Sequence, residues 1–355
     1  MTKILFVSRA YPPVVGGIEN QNYELATWLS KITDVKKVIN IRGKKFLPVF
    51  LPYAKLKSLI SMRKNDVILL GDGVLAPVGY AVKIINRKPA VCVLHGLDLT
   101  YKNFIYQKLW VGFFMKKLDK FICVGQETLY IAKEKGLPEE KLVFIPNGVD
   151  TEKYFKHCEK SELEKILDIK LEDKKVILTS GRLAKRKGVA WFCEHVMPNL
   201  SENYIYIVAG DGADRKNIEE VIKNKNLSKR IKMLGYVTDE VRNILFNTCD
   251  IFVQPNTKVL GDMEGFGISV IEAASCQLPV IAANLEGLKD AIKNGGNGFL
   301  VESGNASAWV EKINEVLADD NFRREFGQKA RQYVIENYSW GKISRRYLEE
   351  IEKTL

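Results

Sequence analysis

Short, nearly continuous apolar runs alternate along this chain with longer stretches whose apolar residues recur every three or four positions. The runs predict strands. In the first half they fall at Lys3–Ser8, Lys37–Ile41, Asp66–Leu70, Ala90–Leu94, Lys120–Val124 and Leu142–Ile145. In the second half they fall at Lys175–Ser180, Tyr204–Ala209, Ile231–Leu234, Asp250–Gln254, Pro279–Ala282 and Gly298–Val301. The stretches between them predict helices, among them Ile18 to Ser30, Val189 to Val196 and one opening after Gly267. A charged helical tail starts near Asn321, is interrupted at Tyr338-Ser339-Trp340, and ends in a helix from Lys342 to Leu355. Strands without a polar face, each followed by a helix, indicate parallel, doubly wound α/β sheets. Ligands of such sheets sit beyond the carboxyl ends of the strands.

At 355 residues the chain exceeds what one core usually serves, so two domains are expected. The polar segment Thr151 to Asp173 reads as the crossing, with domains of 1–160 (plus about 340–355) and 161–339. Hydrophobic residues make up 46% and charged residues 27%, which describes a globular chain. Six cysteines without a C-x-x-C pair and only three histidines argue for a reduced compartment and against a metal centre. Met1-Thr2-Lys3 leads directly into a strand, so no signal peptide is expected. The low-charge stretch Val67 to Ile85 contains Asp72, Pro77 and Lys83 and reads as strand, loop and helix, not as a membrane span.

Charge changes the picture more. Residues 1–150 carry 23 Lys/Arg against 12 Asp/Glu, and the rest of the chain is balanced. Such asymmetry suggests that the first half faces a polyanion, although solubility alone explains it too. Lys44 to Lys64 and Phe104 to Lys120 mix lysine with large apolar and aromatic residues, the composition of a surface lying in lipid headgroups. Packing of the apolar faces on the sheet is the other reading. No nucleic-acid-binding motif is present, and arginine is scarce in this half.

Candidate chemistry gathers in loops that follow strands. Glu264-Gly265-Phe266-Gly267-Ile268 leads into a helix bearing Glu272. Free N–H groups at a helix start attract an anion, and glycines let a ligand approach the backbone. The flanking carboxylates suit sugar hydroxyls. An amphipathic helix with glycines at its cap gives the same pattern. After Lys175–Ser180 come Gly181-Arg182-Leu183 and Lys185-Arg186-Lys187-Gly188, cations placed to neutralise a phosphate, or simply a solvated basic loop. Gly16-Gly17 opens a helix after the first strand but is not the G-x-G-x-x-G dinucleotide fingerprint. His95, after Ala90–Leu94, stands where it can donate to a substrate, or is simply a hydrogen-bonded loop histidine.

Taken together, Gly16-Gly17, Gly181-Arg182-Leu183 with Lys187-Gly188, Glu264-Gly265-Phe266-Gly267 with Glu272, Pro146-Asn147-Gly148-Val149-Asp150 and the late Tyr338-Ser339-Trp340 resemble the retaining glycosyltransferases of family 4. The resemblance covers nearly the whole chain. It implies a GT-B fold: two Rossmann-like doubly wound domains facing a cleft, with the last helix crossing back to the N-terminal one. It implies a nucleotide-diphosphate sugar as donor and no metal or other cofactor. Arg182 and Lys187 would grip the diphosphate, Glu272 the ribose, and Glu264 the transferred sugar, with the amides of Gly265, Phe266, Gly267 and Ile268. Gly16 and Gly17 would approach the donor, Tyr236 and Val237 would lie by the base, and His95 would stand near the sugar. The expected acceptor is lipid-linked or a membrane glycan, and the expected place is the cytoplasm, peripheral on the membrane; the alternatives are a soluble transferase acting on a small-molecule or polysaccharide acceptor and a nucleotide-sugar-binding protein without turnover.

Overall fold

The computed structural model describes residues 1–14 and 16–355, and every side chain among them except that of Lys44. The chain forms two compact units, Met1–Gly148 with Trp340–Leu355, and Val149–Ser339. The division falls after Gly148, earlier than residue 160, because the crossing segment is not an extended linker. It contains a helix, Lys160–Leu167, closed by a capping box in which the Glu159 N–H donates to Glu162. Leu163, Leu167 and Leu171 join the core of the second unit. Glutamate is not among the usual N-cap residues, so the sequence does not announce this helix start.

The first unit is built on a parallel sheet with strand order β2-β1-β3-β4-β5-β6. Its strands are β1 (Lys3–Ser8), β2 (Asp34–Ile39), β3 (Val67–Leu70), β4 (Ala90–Leu94), β5 (Lys120–Cys123) and β6 (Leu142–Phe144). Alternation along β1 sends Leu5 and Val7 to one core layer and Ile4 and Phe6 to the other, as the pleat requires. The second layer is covered by the Gly17–Leu29 helix and by Trp340, Ile343, Tyr347 and Ile351 of the last helix, Trp340–Glu352. β2 starts three residues before its apolar signal. As an edge strand it tolerates Asp34, Lys36 and Lys37 while pairing in register with β1. Asn147-Gly148 reads as a turn, but Gly148 answers to packing. A Cβ there would stand 2.5 Å from the Trp340 indole.

The second unit has the strand order β12-β11-β10-β7-β8-β9, again parallel. Its strands are β7 (Lys175–Ser180), β8 (Tyr204–Ala209), β9 (Ile231–Gly235), β10 (Ile251–Gln254), β11 (Val280–Ala283) and β12 (Phe299–Val301). Strand order reverses between β7 and β10. That reversal is where a doubly wound sheet opens a crevice at its carboxyl edge. Thr179 stitches the two strands just below it, donating to the Val253 carbonyl and sharing a hydrogen bond with Tyr206, both at 2.7 Å.

The two basic aromatic stretches are helical. Leu47–Ser61 is an α-helix and Tyr106–Phe114 a π-helical segment. Each buries one side, through Phe50 and Ala54, and through Tyr106, Val111 and Met115. Each keeps apolar residues in solvent. On Leu47–Ser61 these are Val49, Tyr53, Leu56 and Ile60, which share one face by their spacing; on the other segment they are Leu109 and Phe113. No described helix is long and apolar enough to cross a membrane.

Candidate active site

The second unit assembles its site at the β7/β10 reversal, from backbone placed against backbone. Gly181 leaves β7 at a φ of +145°, a region that favours glycine. The turn Lys185–Lys187 then ends in Gly188, at a φ of +67°, where a Cβ would stand 1.9 Å from the Pro255 carbonyl oxygen. The Thr257 N–H donates to the Arg186 carbonyl at 2.9 Å. The cationic turn after β7 is thereby laid directly on the loop after β10.

That contact decides which cations point inward. Lys187 Nζ lies 2.5 Å from Glu264 Oε2, and Arg186 faces the same oxygen at 3.7 Å and Asp262 at 3.6 Å. Asn256 Nδ2 donates to Glu264 at 3.3 Å. Glu264 is buried. Burial pushes its carboxyl up, but Lys187 and Arg186, with the hydrogen bonds from Lys187 and Asn256, outweigh that and hold it below the usual carboxylate range. Arg186 was not singled out by the sequence. In a run of three cations, only the phase of the turn tells which ones face Glu264. Arg182 lies exposed in the loop after β7.

The Glu264-Gly265 main chain is clasped from behind. Its Glu264 N–H donates to Glu286 at 2.6 Å, and the Gly287 N–H donates to the Glu264 carbonyl. A Cβ on Gly287 would meet the Gly265 carbonyl oxygen at 2.4 Å. Glu286 and Gly287 are positioning residues that carry no motif in the sequence. Phe266 is in the core, edge-on to Tyr338, so this residue offers a ligand its main chain, not its ring. Gly267, at a φ of +90°, caps the Ile268–Ser275 helix, and a Cβ there would collide with Leu288. Glu272 sits in the second turn, half-buried, and its charge acts on Tyr154 and Arg242. After β9, Tyr236 is 69% exposed, while Val237 belongs to the core, so of the two only Tyr236 offers its side chain to solvent.

The first unit has its own polar cluster at the ends of β1, β3 and β4. His95 Nε2 lies 2.9 Å from the Gly71 carbonyl oxygen; a carbonyl only accepts, so Nε2 carries the proton of that bond. Asp98 accepts from the N–H groups of His95 and Gly73. Burial pushes the Asp98 carboxyl up; the His95 charge opposes this and Asp72 adds to it. Arg9 forms an ion pair with buried Asp72 at 2.9 Å. Gly17 begins its helix at a φ that any residue adopts, and a Cβ there would meet nothing within 4 Å. The fold itself therefore does not require glycine at 17. Among the described residues, no cluster of three or more His, Cys, Asp or Glu is arranged to hold a metal ion.

Fold and site together define an α/β protein of the doubly wound kind, with a cationic turn and a glycine-headed helix at the reversal of strand order. Residues 17–153 match the model of glycosyltransferase family 4, and residues 159–333 that of glycosyl transferases group 1. The chain is 30% identical over 302 residues to the UDP-Gal:alpha-D-GlcNAc-diphosphoundecaprenol alpha-1,3-galactosyltransferase of Escherichia coli, covering 80% of this chain and 76% of that one. It is 27% identical over 390 residues to an "uncharacterized glycosyltransferase" of Methanocaldococcus jannaschii, covering 97% and 96%. The structure of Anabaena HepE in complex with UDP shares the fold, with a TM-score of 0.81 at 21% identity over 99% of this chain and 100% of that one. The chain belongs to the group 1, family 4 glycosyltransferases, and its two parallel six-stranded sheets are those of the GT-B fold.

Proposed function

We propose that this glycosyltransferase moves a sugar from a nucleotide-diphosphate sugar, with UDP as the leaving nucleotide, to a hydroxyl of a lipid-linked acceptor, with retention of configuration. The observation that carries the reading is the Lys187–Glu264 pair at the reversal of strand order, beside the head of the Ile268–Ser275 helix. Breaking the sugar–phosphate bond leaves an added negative charge on the diphosphate. Lys187, Arg182 and the first N–H groups of the helix stabilise that charge as it develops, without a metal. Glu264 and the amides from Gly265 to Ile268 hold the transferred sugar, Glu272 binds the ribose hydroxyls, Tyr236 lies by the base, and His95 serves near the sugar. The acceptor hydroxyl attacks from the face the leaving group departs from and gives its proton to the departing phosphate oxygen. The name of the Escherichia coli relative supports both the UDP-sugar and the diphospholipid acceptor, and UDP in the Anabaena structure agrees with the nucleotide.

The membrane reading rests on the solvent-facing row Val49, Tyr53, Leu56 and Ile60, flanked by Lys45, Lys55, Lys57, Arg63 and Lys64. An apolar stripe bordered by lysine lies in an anionic headgroup layer, which makes the enzyme peripheral on the cytoplasmic face. The test is turnover of UDP- and GDP-sugars with a polyprenyl-diphosphate sugar acceptor, followed by NMR of the product anomer. Turnover with UDP-sugar and a retained anomer is expected. An inverted product refutes the same-face step, and full turnover by Arg182→Ala refutes its place on the phosphate.

A further inference from the structure

Gln254 ends β10 at the reversal of strand order and is 1% exposed. Its Oε1 accepts from Ser269 Oγ at 2.7 Å. Ser269 is the second residue of the eight-residue Ile268–Ser275 helix. That bond orients the amide, because a hydroxyl donor selects the oxygen end. The other end, Nε2, has no hydrogen-bond partner among the described residues. It stands 3.5 Å from where a Cβ on Gly267 would lie, so it is directed at the head of the helix. A buried NH2 group without an acceptor is costly and calls for one. Gln254 stands beside a helix start, and the next residue, Pro255, lays its carbonyl against Gly188, which directly follows Arg186 and Lys187 in the cationic turn, an environment that draws an acceptor carrying negative charge.

We infer that Gln254 is a phosphate ligand, donating from Nε2 to an oxygen of the donor's sugar-bearing phosphate, with Ser269 holding the amide in the donating orientation. This rests on the reading of the site as one for a nucleoside diphosphate. Donation from Nε2, with Oε1 held by the Ser269 hydroxyl, is what separates Gln254 from an isosteric apolar residue: leucine fills the same space but leaves the phosphate one donor short. Glutamate at the position turns the donor into a second acceptor facing an anion.

The test is calorimetry on the whole chain. The parent is titrated with UDP and with GDP, and the tighter binder is carried, with its own monophosphate, to Gln254→Leu, Gln254→Glu, Ser269→Ala and Lys187→Ala. Gln254→Leu is expected to weaken the diphosphate about tenfold to a hundredfold, the range for a lost hydrogen bond to a charged group, while the monophosphate holds the parent's affinity. Gln254→Glu loses more, and Ser269→Ala loses less. The inference is overturned if Gln254→Leu binds the diphosphate as the parent does while Lys187→Ala does not; the diphosphate reading then stands without Gln254. It is also overturned if Gln254→Leu weakens mono- and diphosphate equally, since that marks a general distortion. If neither nucleotide binds the parent, or Lys187→Ala and Gln254→Leu both keep full affinity, the diphosphate reading falls and this inference with it.

Discussion

Replacing Glu264 by glutamine separates the electrostatic part of the site from its shape. The side chain keeps its volume and one acceptor oxygen, but the charge facing Lys187 at 2.5 Å and Arg186 at 3.7 Å is gone. Both cations are largely buried, with side-chain exposures of 12% and 18%. Breaking a buried ion pair from one side costs about 3–5 kcal/mol. The retained amide oxygen places Glu264→Gln near the lower end, at about 3 kcal/mol. For a unit the size of Val149–Ser339 each kcal/mol lowers the midpoint by about 2–4 °C, so the fall is about 6–12 °C. The same substitution leaves uncompensated cations that a diphosphate satisfies. Thermal unfolding followed with and without UDP therefore gives two readings. The variant melts lower than the parent alone, and saturating UDP raises its midpoint by more than it raises the parent's. At a hundredfold excess over Kd the parent gains about 2.7 kcal/mol, and the variant gains more. Turnover is expected to fall as well if Glu264 holds the transferred sugar as proposed. An unchanged midpoint without ligand, or an equal ligand-induced rise in both proteins, refutes the reasoning. The sign with pH follows from the lowered Glu264 carboxyl. Folding favours its charged form, so its contribution is complete above an unfolded value of about 4.3 and disappears as pH falls through the lower folded value. An acid titration of parent stability shows that loss, and Glu264→Gln lacks it.

Three further outcomes are expected. Gly188→Ala destabilises the second unit severely, because a Cβ would meet the Pro255 carbonyl at 1.9 Å from a positive φ and neither backbone can yield; thermal unfolding or loss of soluble protein measures it. Gly17→Ala is predicted to leave the midpoint unchanged or raise it by about 0.4–1 kcal/mol equivalent, yet to lower turnover, since a ligand that approaches the Gly17 backbone meets the new methyl; full turnover removes Gly17 from the site. The double variant Leu56→Glu, Ile60→Glu alters residues that are 63% and 56% exposed, so its midpoint stays at the parent's value. Its sedimentation with phosphatidylglycerol vesicles is expected to fall at least tenfold; unchanged sedimentation refutes the lipid-facing role of this helix.

Much of this protein is local and therefore legible along the chain. A buried parallel strand needs an unbroken apolar run, and all twelve were visible in the sequence, the polar edge strand β2 with its start displaced. The loops after β7 and β10 announced themselves by glycine and charge, because a chain that leaves a strand and starts a helix needs those residues at that spot. The helix Lys160–Leu167 opens on a glutamate, not one of the usual N-cap residues, so its polar composition reads as a crossing. What the tertiary structure alone decided is who meets whom. β10 inserts beside β7, across more than seventy residues of chain, and nothing periodic in the sequence encodes that neighbour. The pairing of Lys187 and Arg186 with Glu264, the clasp of Glu286 and Gly287, and the unsatisfied amide of Gln254 all follow from that insertion. Strand position is dictated by each segment's own burial, whereas the site is made by contacts between segments, which exist only once the sheet has closed in its reversed order.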